Sequence, residues 1–190
     1  MVAVEYNKYI DILKTRLTSA RLEHSKLVAE HAKRLAKFFG ADELKAETAG
    51  LLHDIMKDSK QEVLLQTILG FGIILTDIEK SAPKLWHAIA GEITLRNELK
   101  IKDEDILNAI RYHTTARKNM STLEKVLYLA DFISDDRDYE GVNEIRDAIS
   151  KGLAIGMKAA LIFSINDLVR NNKPIHPDTI DAYNEVILIN

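Results

Sequence analysis

With 26 basic and 29 acidic residues among 190, the chain carries a formal net charge of −3 and lacks the basic excess of a general nucleic-acid binder. Its length is sufficient for one domain with a buried core. The absence of cysteine excludes disulfides and thiolate metal sites, so any metal would be bound through nitrogen and oxygen.

The start of the chain predicts neither export nor membrane insertion. Residues 1–6 lack the basic start and the apolar stretch of a signal peptide. No later apolar run approaches the ~20 residues that cross a bilayer. A cytoplasmic protein without membrane contact is therefore expected.

Helices are predicted along most of the chain, which has only 8 glycines and 3 prolines and is rich in Ala, Leu, Lys and Glu. In residues 21–39 apolar side chains recur at steps of three and four, one face of a helix. His24 and His31 lie on this face seven residues apart, so periodicity does not distinguish them. Asp42 is expected to cap the next helix, which is predicted to reach Lys57.

The helix over residues 42–57 has a face of small residues, Ala46, Ala49 and Gly50, followed by His53. Such a face lets a neighbouring helix come close to the histidine. Residues 61–75 are apolar but contain two glycines. They predict a short helix followed by an irregular connection.

Three further helices each carry a candidate ligand. One begins at residues 81–83, because proline is tolerated in a first turn, and contains His87. The next is capped by Asp103 and contains His113 on its apolar face. The third follows a capping box at residues 121–124 and contains Asp131.

The rest of the chain predicts a long helix over residues 142–170, which Gly152 and Gly156 bend or break, and a terminal helix over 177–189. Alternation typical of a sheet is absent from the sequence. The prediction is one all-α domain over 1–190, a helical bundle with a metal site at its centre. Its core would span about 20–135 and a C-terminal helical extension about 140–190.

The adjacent pair His53-Asp54, called here the HD pair, is the most informative motif. A single histidine on an apolar helix face is usually a core residue, but buried imidazoles and carboxylates are costly unless paired or metal-bound. Five helices are expected to converge through His24, His53, His87, His113 and Asp131. This ligand chemistry suits a divalent ion of the iron, manganese or zinc group, which can polarise a phosphate and activate a water. A metallohydrolase is the leading hypothesis.

The order H…HD…H…H…D resembles the HD-domain superfamily of metal-dependent phosphohydrolases. The stretches 113–117 (HTTAR), 128–131 (YLAD), 137–142 (RDYEGV) and 175–179 (IHPDT) are similar to the YqeK group within it. This group consists of bacterial symmetrical bis(5′-nucleosyl)-tetraphosphatases, which cut diadenosine tetraphosphate into two ADP. The resemblance covers roughly residue 24 to the C-terminus.

The resemblance implies a role for each matching residue. The metal ligands would be His24, His53, Asp54 and Asp131, with iron expected and manganese, cobalt or zinc as alternatives. One or two ions are implied, and Asp54 would bridge a pair. His87 and His113 would hold a second metal or contact substrate phosphates, and the phosphate contact is favoured here.

A substrate pocket is also implied by the resemblance. Its residues would be Lys57, Thr114, Arg137 and His176, together with His87 and His113. Asp54, Lys57 and these two histidines form the expected catalytic set, and either histidine could protonate the leaving phosphate. The chain departs from the family at residues 134–136, Ser-Asp-Asp in place of a segment bearing proline and glycine. Two extra carboxylates would repel a polyphosphate unless they point away or bind a cation.

Other functions are weighed against this one. A guanosine polyphosphate hydrolase usually continues HD-x-x-E-D, whereas Lys57 replaces that acid. The Gly-Tyr-Pro signature of cyclic-dinucleotide enzymes is absent from the sequence. Another HD nucleotide phosphohydrolase or phosphodiesterase, or a non-catalytic nucleotide-binding sensor, is the alternative. The expected partner is a nucleotide or dinucleoside polyphosphate, and a homodimer is suggested by family analogy.

Overall fold

Eleven α-helices and one 3-10 turn follow one another in residues 2–188, the part of the chain that the structure, a computed structural model, describes. No strand occurs within this part, so the all-α prediction is confirmed. In chain order the helices are α1 (Val2–Arg16), α2 (Ser19–Phe39), α3 (Glu43–Leu52), α4 (Gln61–Gly70), α5 (Asp77–Ser81), α6 (Trp86–Asn97, preceded by the 3-10 turn Pro83–Leu85), α7 (Glu104–Tyr112), α8 (Thr122–Ile133), α9 (Val142–Ser150), α10 (Leu153–Arg170) and α11 (Pro177–Leu188).

Three predicted helix starts are confirmed by their hydrogen bonds. The carboxylates of Asp42 and Asp103 each accept two backbone N–H groups in the first turns of α3 and α7. At α8, Ser121 accepts from the N–H of Glu124, whose side chain accepts in return from the N–H of Ser121. These contacts satisfy backbone donors that have no partner inside a helix.

The end of α3 differs from its prediction. The helix ends at Leu52, so the prediction over residues 42–57 is wrong for its last part. The N–H of Ile55 donates to the carbonyl of Leu52 over 3.1 Å, which is the tighter spacing of a 3-10 turn. The ring Nδ1 of His53 donates to the carbonyl of Gly50 over 2.7 Å, a carbonyl that the next helical turn would use. The HD pair therefore lies in a turn at the end of α3.

Helices α2 and α3 touch through their backbones, as the small-residue face predicts. A Cβ placed on Gly50 would lie 2.7 Å from Cα of Ala29 and 3.0 Å from the carbonyl oxygen of Val28. Only glycine permits this approach without displacing one helix. The contact fixes the distance between the helix that carries His24 and the helix that ends at the HD pair.

The C-terminal helices follow the prediction with one break. Gly152 has a φ of +145°, which favours glycine, and it separates α9 from α10 within the predicted helix over residues 142–170. Gly156 lies inside α10. The terminal helix begins at Pro177 as predicted, and Ile189 at its predicted end lies outside the described residues.

The helices pack around two buried apolar clusters. The larger draws on α1 to α4 and α6 to α8, and the smaller draws mainly on α8 to α11. Helix α8 contributes to both, and it also carries Asp131. None of the described helices is long and apolar enough to cross a membrane. The division into a core and a C-terminal extension stays a prediction.

Candidate metal centre

Side chains from five helices or helix ends meet at one place. His24 comes from α2 and Asp131 from α8, while the HD pair follows α3. His87 lies in the first turn of α6, and His113 follows α7 directly. Two groups have all their donor atoms within 4.8 Å of one another: His24, His53 and Asp131 form one, and His53, Asp54 and His113 form the other.

The structure places His24 rather than His31 among these donors. Nε2 of His24 lies 3.1 Å from Oδ1 of Asp131. His31, two helical turns later, instead has Nε2 2.8 Å from Oδ1 of Asp135 and Nδ1 3.0 Å from a guanidinium nitrogen of Arg34. Both ring nitrogens of His31 are occupied away from the centre.

Three of the histidines are held in the same way. Nδ1 of His53, His87 and His113 lies 2.7 Å in each case from the carbonyl oxygen of the residue three positions earlier. A carbonyl oxygen only accepts, so each Nδ1 carries the proton. In the neutral rings, Nε2 is left with a lone pair, the state in which imidazole binds a metal.

These lone pairs point at carboxylate oxygens. Oδ1 of Asp54 lies 3.1 Å from Nε2 of His87 and 3.5 Å from Nε2 of His113. Its Oδ2 lies 3.4 Å from Nε2 of His53. Nε2 of His53 and Oδ1 of Asp54 are buried without a hydrogen-bond partner among the described residues. Lone pairs facing a carboxylate repel each other unless a proton or a cation lies between them, so the donor set fits a divalent metal.

The protonation of these groups agrees with such a site. Burial raises the pKa of Asp54, but when the imidazoles take up protons in place of a metal, the positive charge of His53 and hydrogen bonds from His113, His53 and His87 outweigh the effect of burial and hold this pKa well below its usual range. Burial lowers the pKa of His87 to about 4, so its ring is neutral at pH 7. Burial also disfavours charge on His53, yet Asp54 and Asp131 raise its pKa. Protons and a metal would therefore compete for the same donor atoms.

Three cationic side chains surround the donors. Nη1 of Arg21 lies 3.0 Å from Oδ2 of Asp54. Nζ of Lys57 lies 3.7 Å from the other oxygen of the same carboxylate. Arg137 donates a short hydrogen bond to Asp131. Such groups can offset the charge of a phosphate beside the metal.

Arg21 was not predicted as a site residue, although a signal for it exists. It stands three residues before His24 on α2, so the two side chains share a face of that helix. Lys57 and Arg137, which were predicted, also stand close to a candidate ligand in the sequence: Lys57 follows Asp54, and Arg137 follows Asp131.

The two carboxylates that depart from the family pattern both turn towards α2. Oδ2 of Asp136 lies 2.8 Å from Nδ1 of His24, and Oδ1 of Asp135 lies 2.8 Å from Nε2 of His31. Each carboxylate is thus paired with an imidazole. Asp136 was not predicted to contact a ligand, because it is 112 residues away from His24 in the chain.

Two predicted substrate residues, His176 and Thr114, make no hydrogen bond or ion pair with the donor atoms. Nε2 of His176 lies 3.8 Å from Oε1 of Glu79, and its Nδ1 lies 3.5 Å from Oδ2 of Asp178. Glu79 also accepts a hydrogen bond from Arg111 over 3.2 Å. The hydroxyl of Thr114 is shielded from solvent and makes no hydrogen bond within the described residues. A substrate role for His176 and Thr114 stays a prediction.

Comparison with known proteins identifies the family. The profile of the HD domain family matches residues 21–135, which include every residue of the two donor groups. A crystal structure described as a predicted HD superfamily hydrolase involved in NAD metabolism, from Clostridium acetobutylicum, superimposes with a TM-score of 0.94 at 36% identity. The match covers 97% of this chain and 98% of that one.

Curated relatives match over nearly the whole chain. A protein of Halalkalibacterium halodurans is 40% identical over 95% of this chain and 96% of its own length. A protein of Bacillus subtilis is 37% identical over 92% of this chain and 94% of its own length. A protein of Staphylococcus aureus is 32% identical over 91% of each chain. All three are named symmetrical bis(5′-nucleosyl)-tetraphosphatase. The chain therefore belongs to the HD domain family and, within it, to the group of the symmetrical bis(5′-nucleosyl)-tetraphosphatases.

Proposed function

We propose that this protein is a metal-dependent phosphohydrolase that cleaves diadenosine tetraphosphate symmetrically into two ADP. The observation that carries the chemistry is the pair of donor groups that share His53, in which Nε2 of His53 and Oδ1 of Asp54 are buried without a hydrogen-bond partner among the described residues. The substrate is supported by the names of relatives that span more than nine-tenths of this chain.

We propose that the centre would hold two divalent ions, with Asp54 among the residues that would bind each of them. Oδ2 of Asp54 faces the side of His53 and its Oδ1 faces His87 and His113. A direct phosphate contact from these last two histidines is less well supported, because Nδ1 holds the proton and Nε2 has only a lone pair. The low pKa of His87, about 4, also makes that ring a poor proton donor at pH 7.

The chain's own residues would bind and orient the substrate around these ions. When bound, the ions supply charge for the phosphate oxygens and lower the pKa of a coordinated water. Lys57, Arg21 and Arg137 would contact the non-bridging phosphate oxygens and balance charge as the central anhydride bond breaks. Their reach to Asp54 and Asp131 supports this placement, since each has a cationic atom within 4 Å of one carboxylate.

Three finer points belong to this proposal. Nitrogen and oxygen donors suit iron, and they also suit manganese, cobalt or zinc. We propose iron as the resident metal from the resemblance of the ligand pattern. A homodimer and a cytoplasmic location stay predictions from the sequence.

The deciding experiment supplies diadenosine tetraphosphate with Fe²⁺, Mn²⁺, Co²⁺ or Zn²⁺ and separates the products by chromatography. ADP as sole product establishes central cleavage, whereas equal AMP and ATP would contradict it. Guanosine polyphosphates and nucleoside monophosphates are tested in parallel. Tight nucleotide binding without turnover of any substrate would favour the sensor instead.

A further inference from the structure

His24 is held differently from the other three histidines of the centre. In His53, His87 and His113, Nδ1 donates to the backbone carbonyl three residues earlier. His24 lies inside α2, where the carbonyls of the preceding turn accept helical N–H groups. Its Nδ1 lies 2.8 Å from Oδ2 of Asp136, on the segment that follows α8. A side chain from another part of the molecule thus takes the place of a local carbonyl.

Asp136 is itself held in place. The hydroxyl of Ser134, which is fully buried, donates to Oδ1 of Asp136 over 2.6 Å. The other oxygen is left for His24. The segment is fastened in turn by Arg146, whose guanidinium donates to the carbonyls of residues 133, 134 and 137. Although its side chain is 36% exposed, Asp136 has a defined orientation towards the ring.

Two carboxylates lie at opposite ends of the His24 ring. Asp136 is 2.8 Å from Nδ1, and Asp131 is 3.1 Å from Nε2. In a neutral imidazole only one nitrogen carries a proton, so the two carboxylates compete for it. A proton on Nε2 would satisfy Asp131 and block the atom that a metal needs. A proton on Nδ1 leaves that atom free.

We propose that Asp136 is a positioning residue for the metal centre: it fixes the His24 ring with the proton on Nδ1 and the lone pair of Nε2 directed at the metal. A carboxylate behind a ligating histidine also increases the electron density of the ring and strengthens its bond to the ion. The residue belongs to the segment in which this chain departs from its family pattern. The inference rests on the proposed metal centre and is independent of the substrate.

The test measures metal binding without substrate. Zn²⁺ or Mn²⁺ affinity is determined by competition with a chromophoric chelator for the wild type, Asp136→Ala and Asp136→Asn. Asp136→Ala is expected to lower the affinity for one of the two ions about 10- to 100-fold, the usual effect of removing a side chain that holds a ligating histidine. Asp136→Asn keeps an oxygen acceptor without the charge and is expected to lose less. Asp135→Ala is the matched control, since the neighbouring carboxylate contacts His31, and its affinity should equal that of the wild type.

A second measurement reports the position of the proton. In metal-free protein labelled with ¹⁵N on histidine, the two ring nitrogens of His24 have distinct chemical shifts when Nδ1 alone is protonated. Asp136→Ala is expected to shift the population towards the form protonated on Nε2, which Asp131 then accepts. A merely structural role would not move this ratio. Circular dichroism checks that each variant is folded. If Asp136→Ala does not fold, the wild type is compared with Asp136→Asn instead.

The outcomes separate this inference from the proposed function. Wild-type protein that binds two ions, with Asp136→Ala binding both equally well, would overturn the inference alone. The same holds if Asp135→Ala loses as much affinity as Asp136→Ala. A wild-type protein that binds no divalent metal would overturn both proposals.

Discussion

Nζ of Lys57 lies 3.2 Å from Nε2 of His87, so an ammonium group stands beside a proposed ligand at the edge of the candidate metal centre. The contact places a positive charge where a phosphate oxygen would approach the ions. Because we propose that this charge stabilises the transition state, Lys57→Gln is expected to lower kcat about 10²-fold with little loss of metal. Activity is measured with diadenosine tetraphosphate. The control is Lys60→Gln, at the exposed start of α4, which should keep full activity.

We expect the binding of both ions to depend on Asp54. Asp54→Ala removes the carboxylate whose oxygens lie 3.1 to 3.5 Å from Nε2 of His53, His87 and His113, so the variant should retain neither ion and show no turnover. Its helical content should stay close to that of the wild type. Metal content after desalting and circular dichroism are measured together. Asp77→Ala, at a side chain that is 99% exposed, is the control and should retain both ions. An active Asp54→Ala variant free of metal would refute the mechanism.

Gly50 offers a prediction about stability. In Gly50→Ala the new methyl group would lie 2.7 Å from Cα of Ala29, so α2 and α3 must move apart. The free energy of unfolding should fall by about 1–3 kcal/mol. Gly70→Ala is the matched control, because its new Cβ meets no atom within 4 Å and alanine favours the helix by up to about 1 kcal/mol. Urea unfolding of both variants checks this, and equal stability of the two would contradict the close packing.

His31 predicts a change in stability with pH. Burial lowers the pKa of His31 below its usual 6.5, the charges of Arg34 and Arg146 lower it further, and Asp135 offsets part of this effect. Below pH 6.5 the unfolded chain therefore binds a proton here that the folded chain binds less well. This contribution to stability is present above that pH and is lost as the pH falls.

The test for His31 compares the wild type with His31→Gln in metal-free protein. Between about pH 7.5 and 5, the free energy of unfolding of the wild type should fall more steeply than that of the variant. Urea titrations at several pH values give both slopes. Parallel slopes would mean that His31 does not titrate differently in the folded and unfolded states.

Much of the candidate metal centre could be predicted because the residues that meet there lie at helix positions that local patterns reveal. Asp103 and the capping box at residues 121–124 mark helix starts. The periodicity of the apolar residues then predicts that His113 and Asp131 lie on the buried faces of these helices. The pattern that marks α8 also occurs at Thr76 and Glu79, where it caps the short helix α5 that was not predicted. That omission could have been avoided from the sequence.

Other features depend on contacts that no local pattern carries. Periodicity could not separate His24 from His31, because what distinguishes them is contact with side chains more than 100 residues later. His24 lies against Asp131 and Asp136, whereas His31 lies against Asp135. The end of α3 at Leu52 depends on a side chain, since the ring of His53 takes a carbonyl that the helix would have used. Such competition becomes visible only when the ring's surroundings are known.

The donors of the centre come from residues 24 to 131 and from five helices, so a bound ion acts as a cross-link between distant parts of the chain. Binding of the ion to the folded state alone adds its binding energy to the stability of the fold, about 2.7 kcal/mol when its free concentration is 100 times Kd. The amount of folded protein in the cell is thereby tied to the metal supply. Scarcity of the metal would then reduce the abundance of the enzyme as well as its activity.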